Sequence, residues 1–382
     1  MKRASSPPFR VQIIGGGIIG MACAVELADA GCEVVLNDPG ILSDTASWAA
    51  AGMLAPTFEA SAEPEAHPQL FAACQQSRDL WPDWHHRIER LSGETVPFSP
   101  GPTEGLIVDE ADATFMQQVA EKMATSNQGV SQLTQTKIDA ESPLFGGVAQ
   151  ASFTLKEDGW VDSRCLIQAL RSICAGHPKI RFVQAELRAY DIDTPDKILI
   201  CAGWRSAHLQ ALIEGERAQG TQRLRNGLGH IRPTSGQMLV VAQPDPPISS
   251  VLRWRHLYMV PRGAHLVIGA TVEPGVIRQG PDRDAIDHLL ATAAQLIPAL
   301  DSAEILQSWS GVRPASPDHA PLIGHLTELG DRSVYLASGH YRNGLLLAPL
   351  TAKWLKELLL EETVSPLLGH FSPHRFEAAG VT

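Results

Sequence analysis

Two arginines set among small or rigid residues near the end of the chain are the first candidates for chemistry. Arg313 lies in Trp309-Ser310-Gly311-Val312-Arg313-Pro314, and Arg342 in Gly339-His340-Tyr341-Arg342-Asn343-Gly344. A guanidinium grips a carboxylate through two parallel hydrogen bonds, so either side chain suits the acid group of a small substrate. Tyr258, on an expected strand, carries a hydroxyl that can donate to the same carboxylate. Each has an ordinary alternative, a surface arginine or a strand tyrosine. They gain meaning from what else the fold brings beside them.

That partner begins at the other end of the chain. In Ile13-Ile14-Gly15-Gly16-Gly17-Ile18-Ile19-Gly20, the residues Gly15, Gly17 and Gly20 fit the spacing G-x-G-x-x-G. Between a strand (Val11 to Ile14) and a helix (Ile18 to Ala30), such a turn lets backbone N–H groups approach a pyrophosphate at the helix N-terminus. Alone the spacing is a weak signal, but its surroundings agree. Ile18, Ile19, Cys23, Leu27 and Ala30 recur at helical core spacing, Gly31 is placed to end the helix, and Glu33 to Asn37 read as a second strand. Asp38 closes that strand about twenty residues past the glycines, where a carboxylate accepts from ribose hydroxyls. Its alternative is merely to open a turn with Pro39 and Gly40. These features predict a dinucleotide-binding βαβ unit.

Two further segments suit the same ligand. Ser43 to Pro56 (SDTASWAAAGMLAP) combines capping hydroxyls with small side chains that admit a second phosphate contact, against the alternative of an Ala-rich core helix. The expected strand Lys197 to Cys201 ends at Ala202-Gly203-Trp204, so Gly203 is also placed to approach the cofactor.

The chain has 382 residues, enough for two domains sharing a cleft, and 44% of them are hydrophobic, as in an ordinary globular protein. With 31 Lys and Arg against 42 Asp and Glu, the formal charge is −11, which disfavours nucleic acid or an anionic membrane as partner. The six cysteines are scattered with no C-x-x-C pair, so neither zinc nor a disulfide framework is expected, and a reducing, cytoplasmic setting fits. The apolar stretch after Lys2 and Arg3 contains the triple glycine, so it does not read as a secretion signal. No apolar run approaches the ~18 residues of a membrane span.

Residues 1–10 read as a loose leader. Helices are expected over Gln69 to Leu91, with a kink at Pro82, near Phe115 to Thr125, from Ser163 to Cys174 with Asp162 as N-cap, and around Asp284 to Leu296. From Ile231 the texture turns to extended segments, Gln237 to Val241, Leu257 to Pro261 and His265 to Thr271, which predict an inserted antiparallel sheet. The strand Ser333 to Ser338 and an apolar helix reaching Leu360 complete the first domain. The division is therefore 11–95, 150–230 and 306–382 for the dinucleotide-binding domain, and 96–149 with 231–305 for the substrate domain.

Ala46-Ser47-Trp48-Ala49-Ala50-Ala51-Gly52-Met53-Leu54-Ala55-Pro56 with Glu59, and Gly339-His340-Tyr341-Arg342-Asn343-Gly344-Leu345-Leu346-Leu347-Ala348-Pro349, are highly characteristic. With the glycine turn, they make the chain resemble the D-amino-acid oxidase family of FAD enzymes from Val11 to about Leu360, in particular its bacterial glycine-oxidising members tied to thiamine synthesis. The resemblance implies an α/β fold, a Rossmann-like (glutathione-reductase-like) FAD-binding domain with an inserted α+β substrate domain. It implies that Ile18, Ile19, Asp38, Pro39, Ala46, Ser47, Ala51, Gly52 and Met53 line the adenosine and pyrophosphate path, with Leu187 at the adenine. His340, Tyr341, Arg342, Asn343, Gly344, Leu345 and Leu346 lie by the isoalloxazine ring, Arg313 holds the substrate carboxylate, and Tyr258 and Arg342 stand beside it. Relatives with covalent flavin use a cysteine near the position of Arg313, and no cysteine follows Cys201, so FAD is expected to be non-covalent. Val272 stands after Gly269-Ala270-Thr271 where a family member carries methionine; the shorter side chain leaves more room, and strict glycine selectivity does not follow.

The implied reaction is oxidative deamination of glycine, with sarcosine and small D-amino acids as further substrates, by hydride transfer to flavin N5 and without an acid or base side chain. His340 is given a structural or flavin-adjacent role. Dioxygen yields hydrogen peroxide, and the imine hydrolyses to glyoxylate and ammonia or passes to thiazole synthase. A homo-oligomer is expected. Open alternatives are a dehydrogenase-type subunit resembling hydrogen cyanide synthase, another D-amino-acid or sarcosine oxidase, and, against the acidic balance, an RNA-modifying flavin module.

Overall fold

A computed structural model describes residues 9–40, 45–58, 67–125, 134–139, 142–185, 195–209 and 227–377. Strand β1 (Arg10–Ile14), helix α1 (Ile18–Asp29) and strand β2 (Glu33–Asp38) form the expected unit, with β1 and β2 parallel and Ile13 opposite Leu36. Gly31, at φ +104°, turns the chain out of α1 into β2. The sheet has six strands, in the order Leu322–Leu329, Arg332–Ser338, Lys197–Ile200, β1, β2 and Ile180–Gln184; only the first pair is antiparallel. Both faces are covered, which explains why β1 carries an unbroken run of buried residues from Val11 to Ile14 rather than an alternation.

One face takes α1 together with the helices Leu70–Ser92, Ser163–Gly176 and Ala348–Leu359, burying Met21, Leu27, Trp81, Leu170 and Trp354 in one core. The helix Leu70–Ser92 continues through Pro82. Asp162 caps its helix as expected, its carboxylate accepting from Arg164 N at 2.9 Å and Cys165 N at 3.1 Å.

The second sheet is built on β3 (Arg232–Ala242), β4 (Leu257–Arg262), β5 (His265–Gly269) and β6 (Gln307–Ala315). β5 lies between β3 and β4, and β6 runs antiparallel along the other edge of β3, with Thr234 opposite Arg313. Two segments cross the sequence-based domain division. β6, assigned with 306–382, belongs to this sheet, and so does Ala151–Leu155, assigned with 150–230, through pairing with Thr103–Ile107. Periodicity identifies a strand but not its partner, which lies far away in sequence. The helix Arg283–Leu296 covers the back of this sheet, packing Ile286, Leu289 and Leu296 against Leu239, Met259 and Ile268.

Candidate active site between the two sheets

A cavity of about 570 Å³ extends from the β1–α1 turn and the end of β2 to the inner face of the second sheet. Gly15 sits at φ +109° with its N–H donating to the Asn37 carbonyl at 2.8 Å, which draws the turn against β2. Gly17 is the N-cap of α1 and has no side chain to cap it, so the helix N-terminus opens toward the cavity. Ser47 Oγ accepts from Ile18 N at 3.1 Å, and Thr45 Oγ1 caps the short helix Ala46–Ala49. The Thr45 and Ser47 hydroxyls therefore serve helix ends, one of them α1 itself.

Asp38 lines the cavity, and its carboxylate accepts from two backbone groups, Gly16 N and Gly40 N, each at 2.7 Å. A carboxylate offers about four acceptor positions, so these two leave capacity for a ribose hydroxyl.

Arg313 projects from β6 onto β3. Its Nη1 donates to the carbonyls of Ser235 and Thr271, both at 3.3 Å, and a Cβ on Gly236 would stand 2.2 Å from that nitrogen. Only glycine at 236 lets the guanidinium lie flat on the strand, a residue the sequence reading passed over. Tyr258 also faces the cavity, yet its hydroxyl has Met238 Sδ at 3.4 Å. Arg342 lies over the Tyr341 ring at 5.3 Å.

The turn after the last strand is pinned to the strand that carries Arg313. Ala315 and His340 form an antiparallel bridge, and Tyr341 N donates to Pro314 O at 2.7 Å. Tyr341 takes φ +50°, an uncommon value for a residue with a side chain, and stacks on His319 at 4.6 Å. His340 is buried with Nε2 3.1 Å from Thr351 Oγ1, and burial pushes its imidazole down to about 3. It is neutral through the physiological range.

Of the sequence-based site residues, Gly20, Asn343 and Leu346 do not line the cavity. Gly20 packs on the Gly15 carbonyl, Asn343 is buried in the turn, and the Leu346 carbonyl accepts from Ser77 Oγ at 2.6 Å and Trp81 Nε1 at 2.9 Å. These contacts build the turn and seat it on its helix. Leu187 lies outside the described residues. The others named for the cofactor and substrate all border the cavity.

Arg253 and His256, which the sequence reading passed over, also line it, as does Trp204 at the strand end noted above. Arg253 is only 2% exposed, with its guanidinium 3.8 Å from the Phe58 ring centre and Nη1 3.3 Å from Met53 Sδ. A charged residue between Leu252 and Trp254 in an apolar strand was the available signal. Nearby Asp158 is fully buried, which pushes its carboxyl up to about 6 despite donors from Thr57 and Phe58 and the charge of Arg253. Because that value lies above the ordinary 3.8, Asp158 contributes stability that is complete below about pH 4 and lost as pH rises through about 6, about 3 kcal/mol in all. Chemical denaturation at about pH 5 and about pH 8 should show wild type losing stability relative to Asp158→Asn as pH rises. A constant gap would mean that Asp158 does not titrate there.

One long cleft shared between a glycine turn and an arginine-bearing antiparallel sheet is the arrangement of a two-domain flavin oxidoreductase. The chain belongs to the FAD dependent oxidoreductase (DAO) family, which it matches over residues 10–358. It is 33% identical over 379 residues to the bifunctional protein ThiO/ThiG of Synechocystis sp., covering 96% of this chain and 54% of that protein. The chain thus spans about half the length of such bifunctional relatives. It is 28% identical to the glycine oxidase of Bacillus subtilis, covering 94% of each chain. The crystal structure of glycine oxidase from Geobacillus kaustophilus superposes with a TM-score of 0.80 at 26% identity, covering 96% of this chain and 99% of that one. The donor set suits FAD: an open helix N-terminus for the pyrophosphate, the Asp38 carboxylate for a ribose, and an apolar path past Ile18, Ile19 and Met53. Among the described residues, no helix is long and apolar enough to cross a membrane.

Proposed function

We propose that the protein is an amino-acid oxidase that converts glycine to the imine and then to glyoxylate and ammonia, and oxidises sarcosine and small D-amino acids likewise to their imines, which hydrolyse to the corresponding 2-oxo acid and amine or ammonia. FAD, held without a covalent bond, supplies the acceptor for the hydrogen and electron pair that leave the substrate Cα, and dioxygen is the final oxidant, giving hydrogen peroxide. The observation that carries this reading is the Arg313 guanidinium, laid on the sheet face of the same cavity that begins at the glycine turn. There it orients a carboxylate and leaves the short remainder of the substrate directed at the cofactor. Tyr258 and Arg342 border the same space. Supply of the imine to thiazole synthase belongs to this proposal, supported by the match to ThiO/ThiG proteins over about half their length. So does a cytoplasmic homo-oligomer.

His340 is a poor candidate for a base, because an imidazole that protonates only near 3 has little affinity for a substrate proton. The pH dependence then belongs to the substrate amine, which must be neutral to form the imine. Turnover should rise with pH through the amine's ionisation, and His340→Gln should keep that profile. Loss of the rising limb in this variant would restore His340 as a proton carrier. The function as a whole is tested by a steady-state survey of glycine, sarcosine, D-alanine and D-proline with peroxide detection. Substrate oxidation without peroxide would point instead to a dehydrogenase, and no oxidation of free amino acids would reject the proposal.

A further inference from the structure

The two carbonyls that hold Arg313 belong to residues whose side chains run into one carboxylate cluster. Thr271 Oγ1 donates to Glu273 Oε1 at 3.0 Å and accepts from Gln237 N at 3.0 Å. The buried Gln237 side chain donates to the same Glu273 oxygen at 2.6 Å and accepts from Asp282 N at 2.5 Å. Ser235 Oγ donates to Val276 O at 2.7 Å and accepts from Arg278 N at 3.0 Å, and the Arg278 guanidinium closes the ring on Glu273 Oε2. Burial favours the neutral acid, but hydrogen bonds from Gln237, Arg278 and Thr271 outweigh it and hold the Glu273 carboxyl below its ordinary range. Glu273 does not border the cavity, whereas Ala270 and Val272, on either side of Thr271, do.

We propose that Glu273 is a positioning residue: by gripping Thr271 it fixes the carbonyl that aims the Arg313 guanidinium, and with it the Ala270–Val272 wall of the cavity. This rests on reading Arg313 as the anchor for a substrate carboxylate. A side chain that sets the geometry of a binding group changes affinity through that group, although it never meets the ligand.

The test uses the FAD-loaded protein and acetate, which is glycine's carboxylate without its amine, with binding followed by the change in flavin absorbance. Glu273→Gln keeps the side-chain length but cannot satisfy three donors, and Thr271→Val removes the hydroxyl link while preserving shape. Both should raise the acetate Kd and the glycine KM about tenfold, with the rate at saturating glycine and the ligand-free flavin spectrum little changed. If Glu273→Gln does not fold, Thr271→Val alone decides. Should both variants bind acetate like wild type while Arg313→Ala does not, Glu273 merely ties down a loop and the proposal is overturned. A fall in kcat without a rise in KM also overturns it. If Arg313→Ala itself binds acetate normally, the anchor reading is what has failed.

Discussion

Replacing Arg313 by alanine should raise the KM for glycine on the order of 100-fold, corresponding to about 3 kcal/mol of lost carboxylate binding, and leave the flavin absorption spectrum as it is. The guanidinium spends only Nη1 on protein carbonyls, at 3.3 Å, and among the described residues Nη2 and Nε make no protein hydrogen bond. Those two donors form the edge that a carboxylate can meet in parallel. Removing the side chain takes away both bonds and the charge, whereas the glycine turn and the small-residue segment bordering the far end of the cavity are built from other elements. Arg313→Lys should fall between, since an ammonium keeps the charge without the fork. Steady-state kinetics and absorbance on the same preparations provide the measurement, and an alanine variant with wild-type KM would refute the role of this residue.

The second large effect is expected at Gly20. A Cβ there would stand 1.9 Å from the Gly15 carbonyl oxygen and 3.3 Å from Cys201 Cβ. The nearest obstacle is backbone, so it cannot turn aside as a flexible side chain would. Gly20→Ala must lift the start of α1 from the β1 turn, displacing the N–H groups that face the pyrophosphate path, at a cost of about 3 kcal/mol or more. The variant should be recovered colourless or aggregated. Gly280→Ala, where nothing lies within 4 Å of the added carbon, is the control and should remain yellow. A flavin-replete Gly20→Ala protein would show that the turn tolerates more movement than its geometry implies.

How far the sequence foretold these features depended on how local their causes are. The βαβ unit was legible because the glycines, the helix they start, Gly31 and Asp38 lie within thirty or so residues and obey the period of one helix and one strand. Arg313 and the turn around Arg342 were legible as residue types placed among glycines, and through the family resemblance. Gly236 was not, since its need for a bare backbone comes from a guanidinium one strand away. The same holds for β6, whose membership in the second sheet is decided by β3, some seventy residues earlier. Leu346 looked like a cofactor neighbour because it continues the turn, yet its carbonyl is claimed by Ser77 and Trp81 from a helix distant in sequence. The Glu273 cluster was invisible for a related reason, and Arg253, although conspicuous in its apolar strand, gave no sign of its partners: a residue type does not disclose what it faces.

The bridge from Ala315 to His340 and the bond from Tyr341 to Pro314 fasten the arginine's strand to the cavity-lining turn at both departure and return of the intervening hairpin. Engineering for new substrates should therefore respect two zones of unequal freedom. The hairpin tip at Gly330 and Asp331 should accept added residues or a tag with the alignment kept, because the hairpin is closed at its root. Selectivity should be tuned from the opposite bank, at Val272, where one residue can be enlarged or trimmed while the fastened frame keeps its register.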